Sequence, residues 1–238
     1  RFGFRIEQRT AELIDNSLDL LAKVTPARVR HELELILGEE QPEQALQRLD
    51  RLGVTPYIHP ALKADKWLVH RFGSLRVALT TQPPPQPIER LYFAIWTYRL
   101  SSRQLAELFK RLHPMRDTID LLEDLHALKG HCADLERPDL APSVIVHLLQ
   151  PASEASRFLL AIITDSAVVR ERLAIYETRL RHVRPRLDGA ALRRLGVPPG
   201  PIYRQILDAA RDAWLDGKLA SDEDERALVR QLLVEAAA

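Results

Sequence analysis

Apolar residues spaced three and four apart recur along the whole of this 238-residue chain. A pattern of that period can bury itself only as amphipathic helices packed on one another. Near the amino end the stripe reads Leu13, Ile14, Leu18, Leu21 and Val24. It then reads Val29, Leu33, Ile36 and Leu37, and next Ala45, Leu46, Leu49 and Leu52. Glycine is scarce, at nine residues, and alternating β-branched or aromatic runs of the kind that make half-buried strands are nearly absent. The expected fold class is all-α, an elongated multi-helix array.

Punctuation divides the stripes. A first helix is expected from Gln8 to about Lys23, and Thr25-Pro26 starts a second that Gly38 ends. Gln41-Pro42-Glu43 opens a third, closed by Gly53, and Val54 to Pro60 reads as a connector because it holds two prolines. Helical pattern resumes from Ala61 to Thr80. Gln82 to Pro87, with four prolines, is an exposed semi-rigid link. Helices follow over Ile88 to Arg99, then behind a cap at Ser101 or Ser102, then over Ile119 to Leu128. Ser143 and Ser153 are read as caps of the next two, and Val168 to Val183 as one long helix. A short helix around Leu192, a turn from Gly196 to Pro201, a helix from Ile202 to about Leu215 and a last helix capped by Ser221 with Glu225 complete the chain. Trp67, Trp96 and Trp214 fall on apolar stripes and are expected in the core.

Bulk properties narrow the class. The single cysteine, Cys132, cannot form an internal disulfide, which fits a reducing compartment. No apolar run approaches the ~20 residues that span a bilayer, so a cytoplasmic protein with no membrane partner is expected. Catalytic constellations are hard to find. The eight histidines are scattered, and the one tight group, His126, His131 and Cys132, lacks a second ligand pair for zinc. No Gly-rich phosphate loop, GxSxG or HExxH occurs. No metal or cofactor site is expected within these residues, which read as a binding module.

Charge gives the strongest local signal. The net charge is only +1, but between Arg170 and Arg211 ten arginines face four acids (Glu171, Glu177, Asp188, Asp208). Two readings are open: a solvated helix face paired with neighbouring acids, or a phosphate-binding surface. The turn before Ile202 bears on the second. A helix start exposes unpaired N–H groups and the positive end of the macrodipole. There Gly200 could admit a phosphate, with Arg193, Arg194 and Arg204 beside it; the alternative is an ordinary helix–helix corner.

The opening strip Arg1-Phe2-Gly3-Phe4-Arg5-Ile6-Glu7, with Thr10 and Ile14, is followed by Thr25-Pro26-Ala27-Arg28-Val29-Arg30-His31-Glu32-Leu33, by Ala45-Leu46-Leu49 and by the Gly53 to Leu62 segment. These resemble the neck of bacterial class II tRNA nucleotidyltransferases and poly(A) polymerases, the family of CCA-adding enzymes. Asp188-Gly189 with Leu192, then Leu195-Gly196-Val197-Pro198-Pro199-Gly200-Pro201-Ile202, resemble the tail of its longer members. The resemblance implies neck helices over 1–60, a helical body over 61–150 and an Arg-rich, RNA-binding tail over 151–238. It further implies that the chain, which starts abruptly without Met, is part of a longer enzyme. The catalytic head, with Mg²⁺ and CTP or ATP, would lie before Arg1 and act in cis on tRNA, and these residues alone would be inactive.

The implied site residues are Arg28, Arg30 and Glu32 as supports of the nucleotide pocket, the alternative for these three being an intrahelical ion pair. Phe2 and Phe4 would pack the neck. For RNA they are Arg179, Arg181, Arg186, Arg193, Arg194, Gly200, Tyr203 and Arg204. An A-form arm is recognised by shape and by sugar-phosphate contacts, which such groups supply. The competing reading is a helical scaffold or protein-interaction domain with no RNA role, its arginines being compositional.

Overall fold

The computed structural model describes residues 7–194, 197 and 200–237. The opening strip up to Ile6, with Phe2 and Phe4, and Leu195, Gly196, Pro198 and Pro199 of the tail turn lie outside them. Every regular element among the described residues is helical. In chain order they are α1 (Gln8–Asp15), a 3₁₀ segment (Leu18–Lys23), α2 (Pro26–Leu37), α3 (Pro42–Arg51), α4 (Thr55–Ile58), α5 (Lys66–Ala78), α6 (Ile88–Thr97), α7 (Ser102–Leu112) and α8 (Arg116–Gly130). There follow α9 (Cys132–Leu135), α10 (Pro142–Leu149), α11 (Glu154–Ile163), α12 (Ala167–Thr178), a second 3₁₀ segment (Leu180–His182), α13 (Gly189–Arg194), α14 (Ile202–Leu215) and α15 (Asp222–Ala237).

These form two compact units. The first is Arg1–Gly130 with Ala152–Asp165, and the second is His131–Pro151 with Ser166–Ala238. In the first, α11 packs on α8, α5 and α6, while α2 packs on α6 and α7. Leu68, Phe72, Leu75, Leu91, Leu108 and Leu159 are fully buried there. Burying each such side chain is worth ~2 kcal/mol against leaving it in water. A bidentate pair crosses this core. Arg76 of α5 donates to both oxygens of buried Glu43 in α3 at 2.6 and 2.8 Å, and Glu43 holds the guanidinium charged.

In the second unit α10 packs on α12 and α14, and α12 on α9. A small core of Leu187, Ala191, Leu192, Val197, Ile206 and Val229 joins α13, α14 and α15.

Caps set many boundaries. Ser101 and Gln104 form a capping box at α7, and Asp65, Ser153 and Ser166 accept from the third-residue N–H of α5, α11 and α12. His113 ends α7 in the left-handed region at φ 46°, and Pro114 prevents continuation.

Several expectations change. The helix expected over residues 8–23 is broken at Asn16-Ser17, where the amide of Ser17 turns to the carbonyl of Ile14 at 2.9 Å and a 3₁₀ segment follows. Polar short side chains favour such local turns over a continuous helix. The connector after Val54 holds one helical turn, α4. The Val168–Val183 helix stops at Thr178 because Arg179 leaves helical geometry at φ −134°.

Ser143 does not cap α10. Its N–H and Oγ–H both donate to the Asp216 carboxylate of the segment after α14, at 2.9 and 3.0 Å. Ser221 does cap α15, but Asp224 completes the box, accepting from the amides of Ala220 and Ser221. Glu225 turns inward instead and is fully buried. Trp96 is in the core, but Trp67 and Trp214 are only half-buried, each with an arginine over its ring.

Burial pushes the Asp216 carboxyl up. The two Ser143 bonds and Lys218 outweigh that and leave it below the ordinary aspartate value. A depressed folded value means the contribution to stability is complete above the usual carboxylate range and is lost as pH falls through the folded value. Asp216→Ala should therefore cost ~1–3 kcal/mol at pH 7. It should also flatten the acid limb of the urea-midpoint profile below about pH 4 relative to wild type.

Candidate nucleic-acid interface

In the first unit, α2 carries Arg28, Arg30 and Glu32. Pro26 begins that helix and Leu33 and Leu37 bury its inner face, so residues at 28 and 32 point outward, one turn apart. Both are exposed. They stand at the mouth of a mainly apolar cavity of about 230 Å³, walled by Leu21, Val29, Ile36, Leu49 and Ile58.

Arg30 has a different task. Its Nη1 donates to the carbonyl of Leu112 at 3.2 Å and to that of His113, and its Nε lies 3.6 Å from Glu34. It thus satisfies the carbonyl end of α7, where a cation also complements the helix dipole. The intrahelical partner is Glu34, not Glu32. On the far side of the cavity Arg111, in the last turn of α7, returns the favour: it donates to Leu21 O at 2.8 Å, Val24 O at 3.4 Å and Tyr57 O at 3.4 Å.

The second unit holds the arginine-rich run, and its ten guanidiniums are not equivalent. Arg172 donates to the carbonyls of Leu135, Arg137 and Pro138 at the end of α9. Arg211 donates to Val183 O at 3.0 Å and to Gln150 at 2.6 Å. Arg184 folds back on the carbonyls of Arg181 and Val183, and Arg181 pairs with Glu177 one turn earlier. Arg186 pairs with Asp222 and lies 4.3 Å over the Trp214 ring. Exposed Arg204 keeps only a loose 3.7 Å pair with Asp208. Arg179, Arg193 and Arg194 are exposed.

Arg193 and Arg194 are the last residues of α13, Gly200 comes just before α14, and Arg204 lies in the first turn of α14, on either side of the tail turn. Val197 pins that turn, its N–H on Leu192 O at 3.1 Å and its carbonyl receiving the Tyr203 hydroxyl at 2.8 Å. Tyr203 also packs against Gly189. Tyr203 is therefore half-buried and braces the turn. Among the described residues, nothing lies within 4 Å of where a Cβ would stand on Gly200. Val197 is thus held between the two helices, and the exposed cations Arg193, Arg194 and Arg204 lie at their facing ends in the sequence.

Two further features went unread in the sequence. Arg99 is held by Asp65 at 2.7 and 3.1 Å and sits 4.5 Å over Trp67, which lies parallel to Tyr98. Lys129 lies 4.8 Å over Tyr98. Cations thus already lie over both rings. Arg99 caps the other side of an N-cap residue, and the signal that could have found the cluster is the Asp65/Trp67 spacing at a helix start. Among the described residues no group of three or more His, Cys, Asp or Glu is placed to hold a metal ion, and His126 is engaged by Ser102 at 3.1 Å. No helix among them is long and apolar enough to cross a membrane.

Comparison with known proteins gives the chain a context. Residues 3–66 match the family described as "Probable RNA and SrmB- binding site of polymerase A". An A-adding tRNA nucleotidyltransferase of Geobacter sulfurreducens is 26% identical over 98% of this chain and 28% of its own length. One from Halalkalibacterium halodurans is 22% identical over 97% of this chain and 53% of its own. The chain thus spans between about a quarter and a half of the curated relatives it matches. In fold it is similar to a Thermotoga maritima CCA-adding enzyme solved in complex with tRNA_CCA (TM-score 0.68, 19% identity, 99% of this chain and 58% of that one). It is likewise similar to a CCA-adding enzyme solved with CTP (TM-score 0.71, 18% identity, 100% and 57%).

The two arginines of α2 should separate cleanly by mutation. Arg30→Ala is expected to cost ~2 kcal/mol in urea denaturation followed by far-UV circular dichroism, because it strands the carbonyl end of α7. Arg28→Ala should stay within about 0.5 kcal/mol of wild type.

Proposed function

We propose that the chain is part of a protein of the tRNA nucleotidyltransferase and poly(A) polymerase family, and that it serves as the part that holds tRNA and presents the 3′ end for nucleotide addition. The nucleotide-adding chemistry, with its Mg²⁺ and CTP or ATP, is assigned to a head domain supplied in cis. The observation that carries the RNA reading is the exposure of Arg193 and Arg194 at the end of α13 and of Arg204 in the first turn of α14, where Arg204 keeps only a loose pair with Asp208. Exposed guanidiniums can exchange water for phosphate without first breaking a strong internal contact. Tyr203 contributes by holding the turn, and Arg179 extends the cationic surface from α12. Arg181 and Arg186 would reach RNA only by sharing their present acids.

Arg28 and Glu32 are assigned a role on the neck side, at the rim of the apolar cavity, where a neighbouring segment of the longer protein would meet them. Arg30 supports that surface from behind by fixing α7.

A second reading has one observation in its favour: Arg172, Arg181, Arg184 and Arg211 are consumed by contacts inside the unit. A helical scaffold would need no more than that. The two readings separate by salt. The 238-residue chain should bind unfractionated tRNA in filter binding, with log K falling linearly against log salt. Combined Arg193→Glu, Arg194→Glu and Arg204→Glu should weaken binding by at least about tenfold and lower the slope by about two to three. No tRNA affinity at low salt would leave the scaffold reading standing.

A further inference from the structure

We propose that Glu225 is the positioning residue of the cationic surface, an inference that rests on the RNA-binding reading above. Glu225 is the fourth residue of α15 and has no exposed surface. Its two oxygens accept from three neutral donors on two other elements. The backbone N–H of Arg186 reaches both oxygens at 3.1 Å, that of Leu187 reaches Oε1 at 3.1 Å, and the indole Nε1–H of Trp214 reaches Oε2 at 3.0 Å. A carboxylate taken out of water is costly unless its lone pairs are satisfied. Here every donor comes from a piece that carries the arginines.

The segment from Val183 to Asp188 has no regular structure of its own, and it is fixed at intervals. Arg211 of α14 takes the carbonyl of Val183, Glu225 takes the amides of residues 186 and 187, and Asp188 caps α13 by accepting from the amide of Ala191 at 2.7 Å. Its exposed cations, Arg184 and Arg186, therefore stand where the two long helices place them. The Arg186 guanidinium completes the arrangement by lying over the same Trp214 whose N–H the glutamate holds. Asp188 then carries the constraint into α13 and so to Arg193 and Arg194. Without Glu225 the charges would remain but their spacing would not.

That distinction has a sign. Removing a negative charge beside a phosphate-binding surface should strengthen RNA binding by simple electrostatics, whereas loss of positioning should weaken it. Glu225→Gln puts an amide, with its own donor, where only acceptors serve. The full chain with this change is expected to bind unfractionated tRNA about tenfold more weakly, and its salt slope should fall by about one to two as phosphate contacts are lost. Unchanged or tighter binding overturns the proposal, and so does weaker binding with the wild-type slope, which marks a smaller active fraction rather than lost contacts. Should Glu225→Gln fail to fold, Trp214→Phe keeps a ring under Arg186 and deletes one donor. It should weaken binding by about threefold with a smaller drop in slope, and wild-type affinity and slope there also overturn the proposal. A wild-type chain with no tRNA affinity at low salt would instead remove the RNA reading itself.

Discussion

Arginines that reach from one helix to the carbonyl end of another hold this structure together. Every helix leaves about four carbonyls without an internal partner, and short helices carry that burden twice per few residues. Arg30 closes α7, Arg71 meets Ile162 near the end of α11, Arg111 gathers the ends of the first 3₁₀ segment and α4, Arg172 closes α9, and Arg211 takes Val183 after the second 3₁₀ segment. A charged donor is worth ~1.5–3 kcal/mol in such a bond, and the planar fork of arginine can serve two or three carbonyls at once. Lysine, a point charge on a flexible stem, suits the task less well.

This alters what a count of charges means. The run from Arg170 to Arg211 carries a large formal excess of positive charge, yet much of it is spent on carbonyls and neighbouring acids. Arg179, Arg193, Arg194 and Arg204 are exposed, and of these Arg204 has only a loose pair with Asp208. The surface is therefore defined less by how many arginines the sequence contains than by which of them the helix ends have not claimed.

Much of the fold was legible because it is local. The 3.6-residue stripes placed α6, α8 and α14 near their observed limits, and Ser101, Ser153 and Ser221 announced their helices. The misreadings share one cause. Ser143 has the chemistry of a cap, but its partner, Asp216, lies 73 residues away. Glu225 matched a local box, yet its donors sit 11 to 39 residues off, and Asp224 next door did the local work. Arg30 pairs with Glu34 along α2 and also closes α7, and only packing reveals the second contact. The site was legible to a similar depth: the turn and its arginines stood out by composition, whereas their division into committed and exposed groups depends on tertiary contacts.

The first unit is not one continuous stretch of chain. Its core needs α11, whose Leu159 and Leu160 are wholly buried, but residues 131–151 belong to the other unit. During synthesis α8 emerges from the ribosome before α11 does, and domains ordinarily fold from the amino end as they emerge. Here the first unit must wait with its α8 face open until residue 165 has been made. The order in which the parts are translated thus differs from the order in which they can be completed.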